Sequence, residues 1–198
     1  MGIDSLTPAV FLDRDGVLNA NVFNPLTGAW ESPHQPADFR LLPGVIGALR
    51  RLSQAGYRLF VVSNQPSYAK GKTSMENIHA IAARLAIELA EEHIPVAESY
   101  YCLHHPDGIV PGYAGPCVCR KPSPFFLRKA EQDHGITLAE SWMVGDRETD
   151  IECGRAAGTK TILVRSDVLR DDPAESFADY VADDLPKAVE VILATTSE

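Results

Sequence analysis

Long apolar runs are missing from this 198-residue chain. The longest, such as Leu59 to Val62, fall far short of the ~20 residues that span a bilayer, which argues against a membrane-spanning protein. Met1 to Pro8 shows no basic segment leading into an apolar one, so no secretory signal is expected and the cytoplasm is the expected location. Positive charge is scarce as well: 18 Lys plus Arg against 27 Asp plus Glu leave a net charge of −9. Such a chain gains nothing from counterion release on nucleic acid, and an anionic membrane repels it. Any anionic substrate must therefore be neutralised locally, by a metal or by a few placed cations. Cysteine is limited to four residues, and in a reducing compartment these are not expected to form disulfides. Repeats and low-complexity tracts are absent. What is present, 45% hydrophobic and 23% charged residues, is the mixture of a folded core, in a length suited to one domain over 1–198.

Short apolar runs alternate with helical patterns. Strands are expected at Ala9 to Leu12, Arg58 to Ser63, Ser99 to Tyr101, Ser141 to Val144 and Thr159 to Val164. Helices are expected at Val45 to Leu52 (ending at Gly56), Ser74 to Glu92, Ser123 to His134, after Asp146 as far as Ala157, and Leu185 to Ala194. Ser123 reads as an N-cap with Pro124 in the first turn. This alternation implies a three-layer α/β architecture, a parallel sheet with helices on both faces and chemistry beyond the C-terminal strand ends. Two segments break the pattern and should project over that edge: 20–38, rich in Asn, Pro and Gly, and 102–122. Nothing in this length leaves room for a large mobile cap. The acidic stretch from Asp167 to Asp184 reads as solvated surface.

The strand ends carry the chemistry-bearing residues. The first delivers Asp13-Arg14-Asp15-Gly16, two carboxylates that would repel each other without a cation or a phosphate-transfer role. The second delivers Ser63-Asn64-Gln65. Arg120-Lys121-Pro122 places positive charge on an acidic protein, and the fourth strand delivers Gly145-Asp146-Arg147-Glu148-Thr149-Asp150. Each alone is a weak signal; their order is not.

D-x-D-G, a strand-ending Ser, a Lys and G-D-x-x-x-D, in that order, resemble the haloacid dehalogenase superfamily of aspartate-nucleophile phosphatases. The resemblance runs from Val10 to about Val164. It implies that Asp13 attacks phosphorus, that Asp15 is the general acid and base, that Ser63 and Lys121 hold the phosphoryl oxygens, and that Asp13, the Asp15 carbonyl and Asp146 bind Mg²⁺. Asp150 would support this site from behind. A silent binding domain should lack one of these residues, whereas a phosphotransferase would differ only in its acceptor.

The 102–122 segment contains Cys102, His104, Cys117 and Cys119. Three thiolates and an imidazole, spaced C-x-H and C-x-C, suit a closed tetrahedral structural Zn²⁺, with His104 favoured over His105. The segments F-L-D-R-D-G, S-N-Q, Gly71-Lys72-Thr73-Ser74, C-x-H-H-P and C-x-C-R-K-P resemble the heptose 1,7-bisphosphate phosphatase family, a zinc-loop branch of the superfamily. That resemblance implies substrate contacts from Arg120 and Arg147, with Asn64 and Gln65 beside them, and a small phosphosugar as the partner; a monomer is expected. G-D-R-x-T-D also resembles the histidinol-phosphate phosphatases, the alternative substrate class. The 20–36 stretch is longer than the family's substrate loop, and Pro66-Ser67 replaces Ser-Gly. Trp142 and Tyr101 are expected in or near the core and Cys153 as a small buried residue, with His79, His93 and His134 on helix surfaces. Trp30 and His34 sit on a loop that should overhang the site.

Overall fold

Ala9–Leu12 (β1) is apolar and buried at all four positions, as a strand covered on both faces must be. The computed structural model describes residues 7–165 and 176–195; residues 1–6 and Asp167 to Glu175 of the acidic stretch lie outside the described residues. β1 lies between Arg58–Asn64 (β4) and Trp142–Gly145 (β6), with Leu12 opposite Val61 on one side and Val144 on the other. Val96–Cys102 (β5) lies outside β4, and Lys160–Val164 (β7) and Tyr180–Ala182 (β8) continue beyond β6. Among the described residues the resulting sheet has six strands in the order β5-β4-β1-β6-β7-β8, every pair parallel.

The two-residue period of the strands divides the core. Val10, Leu12, Leu59 and Val61 face one way, onto Val45–Gln54 (α1), Met75–Glu91 (α2) and Leu185–Thr195 (α5). Ala9, Phe11, Phe60 and Val62 face the other way, onto Phe125–His134 (α3) and Glu148–Ala157 (α4). This is the expected three-layer arrangement. The chain runs outward from β1 to β5, then returns to β6 beside β1. The reversal opens a crevice between β1 and β6, where open parallel sheets bind ligands.

Four expectations change. The 20–38 segment contains an antiparallel hairpin, Val22–Asn24 (β2) and Ala29–Glu31 (β3), around a turn in which Asn24 Oδ1 accepts from Leu26 N at 3.0 Å and Gly28 takes φ +66°. The acidic stretch contributes edge strand β8, which pairing with β7 creates. β5 is longer than Ser99 to Tyr101, so Cys102 is a strand residue. Ser123 does not cap α3: the cap position falls on Pro124, and the Ser123 hydroxyl donates to Val118 O at 2.6 Å, closing the loop before it. Trp142 and Cys153 are buried, Tyr101 is half-buried and His79 is exposed, as expected. His134, expected on a helix surface, is half-buried between Glu98 and Arg58, and His93 is exposed in the turn after Met75–Glu91.

Candidate active site and metal centre

Asp13 leaves β1 with its N–H on Val144 O at 2.9 Å, so the sheet itself sets its position. Lys121 arrives from the 102–122 loop, and its Nζ lies 2.9 Å from Asp13 Oδ1, 2.6 Å from Asp150 Oδ1 and 2.6 Å from the carbonyl of Val62. Burial disfavours the Lys121 ammonium, but Asp13 and Asp150 outweigh it and hold its pKa above the ordinary lysine value. Burial raises the Asp150 carboxyl, with Lys121 pulling it down and Asp13 pushing it further up. The other Asp150 oxygen accepts from Arg147 N at 3.0 Å, which ties the start of α4 to the lysine. Asp150 thus touches Lys121 directly.

Asp13, Asp146 and Asp150 are all buried and bring carboxylate oxygens within 4.8 Å of one another. The buried Lys121 ammonium pairs with Asp13 and Asp150, and the half-exposed Arg147 guanidinium lies 3.9 Å from Asp146. Three carboxylates thus meet two cations, an excess of negative charge that a hard divalent cation with oxygen ligands would correct. The donor set fits Mg²⁺. Two glycines make room for the carboxylates. A Cβ on Gly16, whose φ is +81°, would stand 2.1 Å from Asp146 Oδ2, and one on Gly145 would stand 2.1 Å from the Asp150 Cβ.

Asp15 is held differently. The wholly buried guanidinium of Arg14 donates to both its oxygens, from Nε at 3.1 Å and from the terminal NH2 at 2.9 and 3.1 Å. Asn19 donates to it at 2.9 Å and Gln65 at 2.6 Å. Gln65 Oε1 accepts from Arg14 at 2.8 Å, and Gln65 Nε2 also donates to Ser63 Oγ at 3.0 Å. Both Gln65 amide protons are therefore used, and its side chain is buried. Gln65, expected as a substrate contact, does not line the cleft; its side chain holds Asp15, Arg14 and Ser63. Ser63 keeps its own hydroxyl proton free to donate. Asn64 faces the cleft but clamps the backbone of Lys121, accepting from its N and donating to its O, both at 3.1 Å.

Cys102, His104, Cys117 and Cys119 converge as expected. Their sulfurs stand 3.3, 3.6 and 3.8 Å apart, and His104 Nδ1 lies 3.8 Å from Cys119 and 4.0 Å from Cys102. A disulfide needs ~2.05 Å, whereas a tetrahedron with ~2.3 Å arms to sulfur has edges of about 3.8 Å. The residues fit Zn²⁺. His105 turns away, accepting from Asp107 N at 3.0 Å. Burial lowers its pKa, helped by the positive charges of Lys70 and Arg120.

Above the carboxylates opens a cleft of about 380 Å³, lined by Asp13, Asp15, Asn64, Arg120, Lys121, Arg147 and Asp150 and by residues from two neighbouring segments. From the hairpin come Trp30, Glu31 and Ser32; from the loop after β4 come Ser67, Lys70 and Lys72. The hairpin is latched to that loop by Glu31 Oε1 on Lys72 Nζ at 2.6 Å and by Ser32 Oγ to Ser67 Oγ at 3.2 Å. His34, by contrast, does not line this cleft; it lies 3.3 Å from Glu31. Arg14, Lys70 and the Glu31–Lys72 pair were not anticipated from sequence. Arg14 and Lys72 stand inside the Asp13-Arg14-Asp15-Gly16 and Gly71-Lys72-Thr73-Ser74 motifs, but no pattern in sequence says what they pair with.

A family model described as HAD-hydrolase-like matches residues 118–188. The chain is 36% identical over 187 residues to D-glycero-beta-D-manno-heptose-1,7-bisphosphate 7-phosphatase of Yersinia pestis, covering 92% of this chain and 95% of that protein. It is 41% identical over 194 residues to D-glycero-D-manno-heptose-1,7-bisphosphate 7-phosphatase of Thermosynechococcus vestitus, covering 93% and 95%. The chain belongs to the haloacid dehalogenase-like phosphatases. The crystal structure of D,D-heptose 1,7-bisphosphate phosphatase from B. bronchiseptica, complexed with magnesium and phosphate, superposes with a TM-score of 0.75 at 28% identity, covering 95% of this chain and 99% of that one. As a haloacid dehalogenase-like phosphatase, the chain is a hydrolase of phosphate esters. No helix among the described residues is long and apolar enough to cross a membrane.

Proposed function

We propose that this protein is a Mg²⁺-dependent phosphatase that works through an aspartyl-phosphate and removes the 7-phosphate of D-glycero-D-manno-heptose 1,7-bisphosphate in the cytoplasm. The observation that carries the reading is a cleft in which the Asp13–Lys121 pair shares its walls with further cations, among them Arg120 and Arg147, the latter 3.9 Å from Asp146. One phosphate is to react, and a second anion must be held beside it. The names of the relatives describe that substrate.

Asp13 Oδ attacks phosphorus in line with the sugar oxygen, and the P–O bond to the sugar breaks as the bond to Asp13 forms. Asp15, aimed by Arg14, Asn19 and Gln65, gives its proton to the departing alkoxide. It then takes one from the water that attacks the phosphoaspartate and restores Asp13. The Ser63 hydroxyl and the Lys121 ammonium hold the equatorial oxygens. Asp13, the Asp15 carbonyl and Asp146 would hold Mg²⁺, which supplies charge neutralisation at the phosphoryl group. Cys102, His104, Cys117 and Cys119 would hold Zn²⁺; with four protein ligands it leaves no position for a reacting water, and its role is to shape the loop that carries Arg120 and Lys121.

Incubation with the heptose bisphosphate and Mg²⁺, followed by phosphorus NMR, should show the sugar 1-phosphate and inorganic phosphate. Folded Asp13→Asn should show neither, since its amide cannot attack. Release of the anomeric phosphate, faster turnover of histidinol phosphate, or substantial activity in folded Asp13→Asn would overturn the proposal.

A further inference from the structure

We infer that Lys70 is a specificity-determining residue that binds the phosphate that is not transferred, together with Arg120, on a subsite built where the loop after β4 docks on the cysteine-rich loop. The inference rests on the reading of a bisphosphate substrate and assigns part of its recognition to a segment outside the reaction centre.

Every carboxylate in the cleft wall already has a protein partner. Asp13 and Asp150 take Lys121, Asp15 takes Arg14, and Glu31 takes Lys72. Glu148 is turned to Phe177 N at 3.1 Å and Ser176 Oγ at 2.9 Å. Among the described residues, Lys70 and Arg120 line the cleft with no carboxylate partner. A cation left unmatched inside a cleft is free to pair with an anionic ligand.

Lys70 is not on a loose loop. Its neighbour Ala69 is buried, and the Ala69 carbonyl accepts from Ile109 N at 2.7 Å and Val110 N at 3.1 Å. The rings of Tyr68 and Tyr113 meet edge to face at 4.9 Å. A Cβ on Gly71 would press on Ile109 Cδ1 at 2.9 Å. Arg120 leaves the same cysteine-rich loop and donates to the His104 carbonyl at 3.3 Å. One loop thus sets the position of both cations.

The test compares each sugar bisphosphate with the matching monophosphate: the heptose pair, and fructose 1,6-bisphosphate against fructose 6-phosphate. Lys70 is exposed, and Lys70→Ala should fold normally. It should raise KM for the bisphosphates about tenfold, the loss of one charge-assisted contact, while leaving kcat and monophosphate hydrolysis unchanged. Lys70→Arg should restore most of the difference. Equal effects on bisphosphates and monophosphates, or no effect on either, would overturn the role of Lys70. If the heptose bisphosphate is not hydrolysed but Lys70→Ala still selectively weakens fructose bisphosphate, the proposed substrate fails and the subsite stands.

Discussion

Replacing Gln65 by Leu separates orientation of Asp15 from contact with substrate. Leucine keeps most of the side-chain volume but removes three buried hydrogen bonds: 2.6 Å to Asp15, 2.8 Å from Arg14 and 3.0 Å to Ser63. Asp15 and Arg14 keep each other, and Asp15 keeps Asn19. Each lost bond is therefore costed at the lower end of the penalty for a buried polar group, about 1 kcal/mol, giving about 3 kcal/mol in all. For a chain of this size, that lowers the melting temperature by roughly 6–12 °C. Asp15 loses a fixed orientation, so kcat should fall by about 10–100-fold, part of the contribution of a well-placed general acid. KM should change little. Thermal melts followed by circular dichroism, together with initial rates over a range of substrate concentrations, read the two effects separately. A melting temperature within about 2 °C of the parent, with the loss confined to KM, would refute the argument and restore Gln65 as a substrate contact.

Two further outcomes are expected. Gly16→Ala forces a non-glycine residue into φ +81° and drives its Cβ to 2.1 Å from Asp146 Oδ2. Beyond a backbone cost of about 1–2 kcal/mol, it should raise the Mg²⁺ concentration needed for half-maximal rate; an unchanged Mg²⁺ titration would count against Asp146 as a ligand. Zinc should copurify at about one per chain, and Cys117→Ser should lose it and melt at a lower temperature. Elemental analysis that finds no zinc in reduced protein, with a melt indifferent to chelators, would rule out the Cys3His site.

The layered fold was legible in the chain because each part of it is written in local pattern. Four consecutive buried apolar residues at Ala9–Leu12 and the three- and four-residue spacing through Met75–Glu91 require only neighbours in sequence to be recognised. Asp13, Lys121 and Asp146 were legible for a related reason: each stands where an apolar strand or a turn ends, and a parallel sheet gathers such ends on one edge. The cysteine and histidine set was legible from spacing, because the geometry of a tetrahedral ion restricts which short loops can supply its ligands.

What only the tertiary structure decided was which of these groups face each other. Ser63, Asn64 and Gln65 are consecutive polar residues at a strand end; pairing of β4 with β1 turns Gln65 inward to Asp15 and leaves Asn64 on the cleft. The direct contact of Asp150 with Lys121 spans parts of the chain that meet only when α4 closes on the cysteine-rich loop. Edge strand β8 has no pattern of its own and exists because β7 offers it hydrogen bonds. Lys70 is an ordinary exposed lysine until Ala69 docks on residues 109 and 110. Hydrophobic periodicity is set by neighbours a few residues apart, so sequence carries it. Charge pairing and hydrogen-bond direction depend on groups tens of residues away, and the packed fold alone determines those partners.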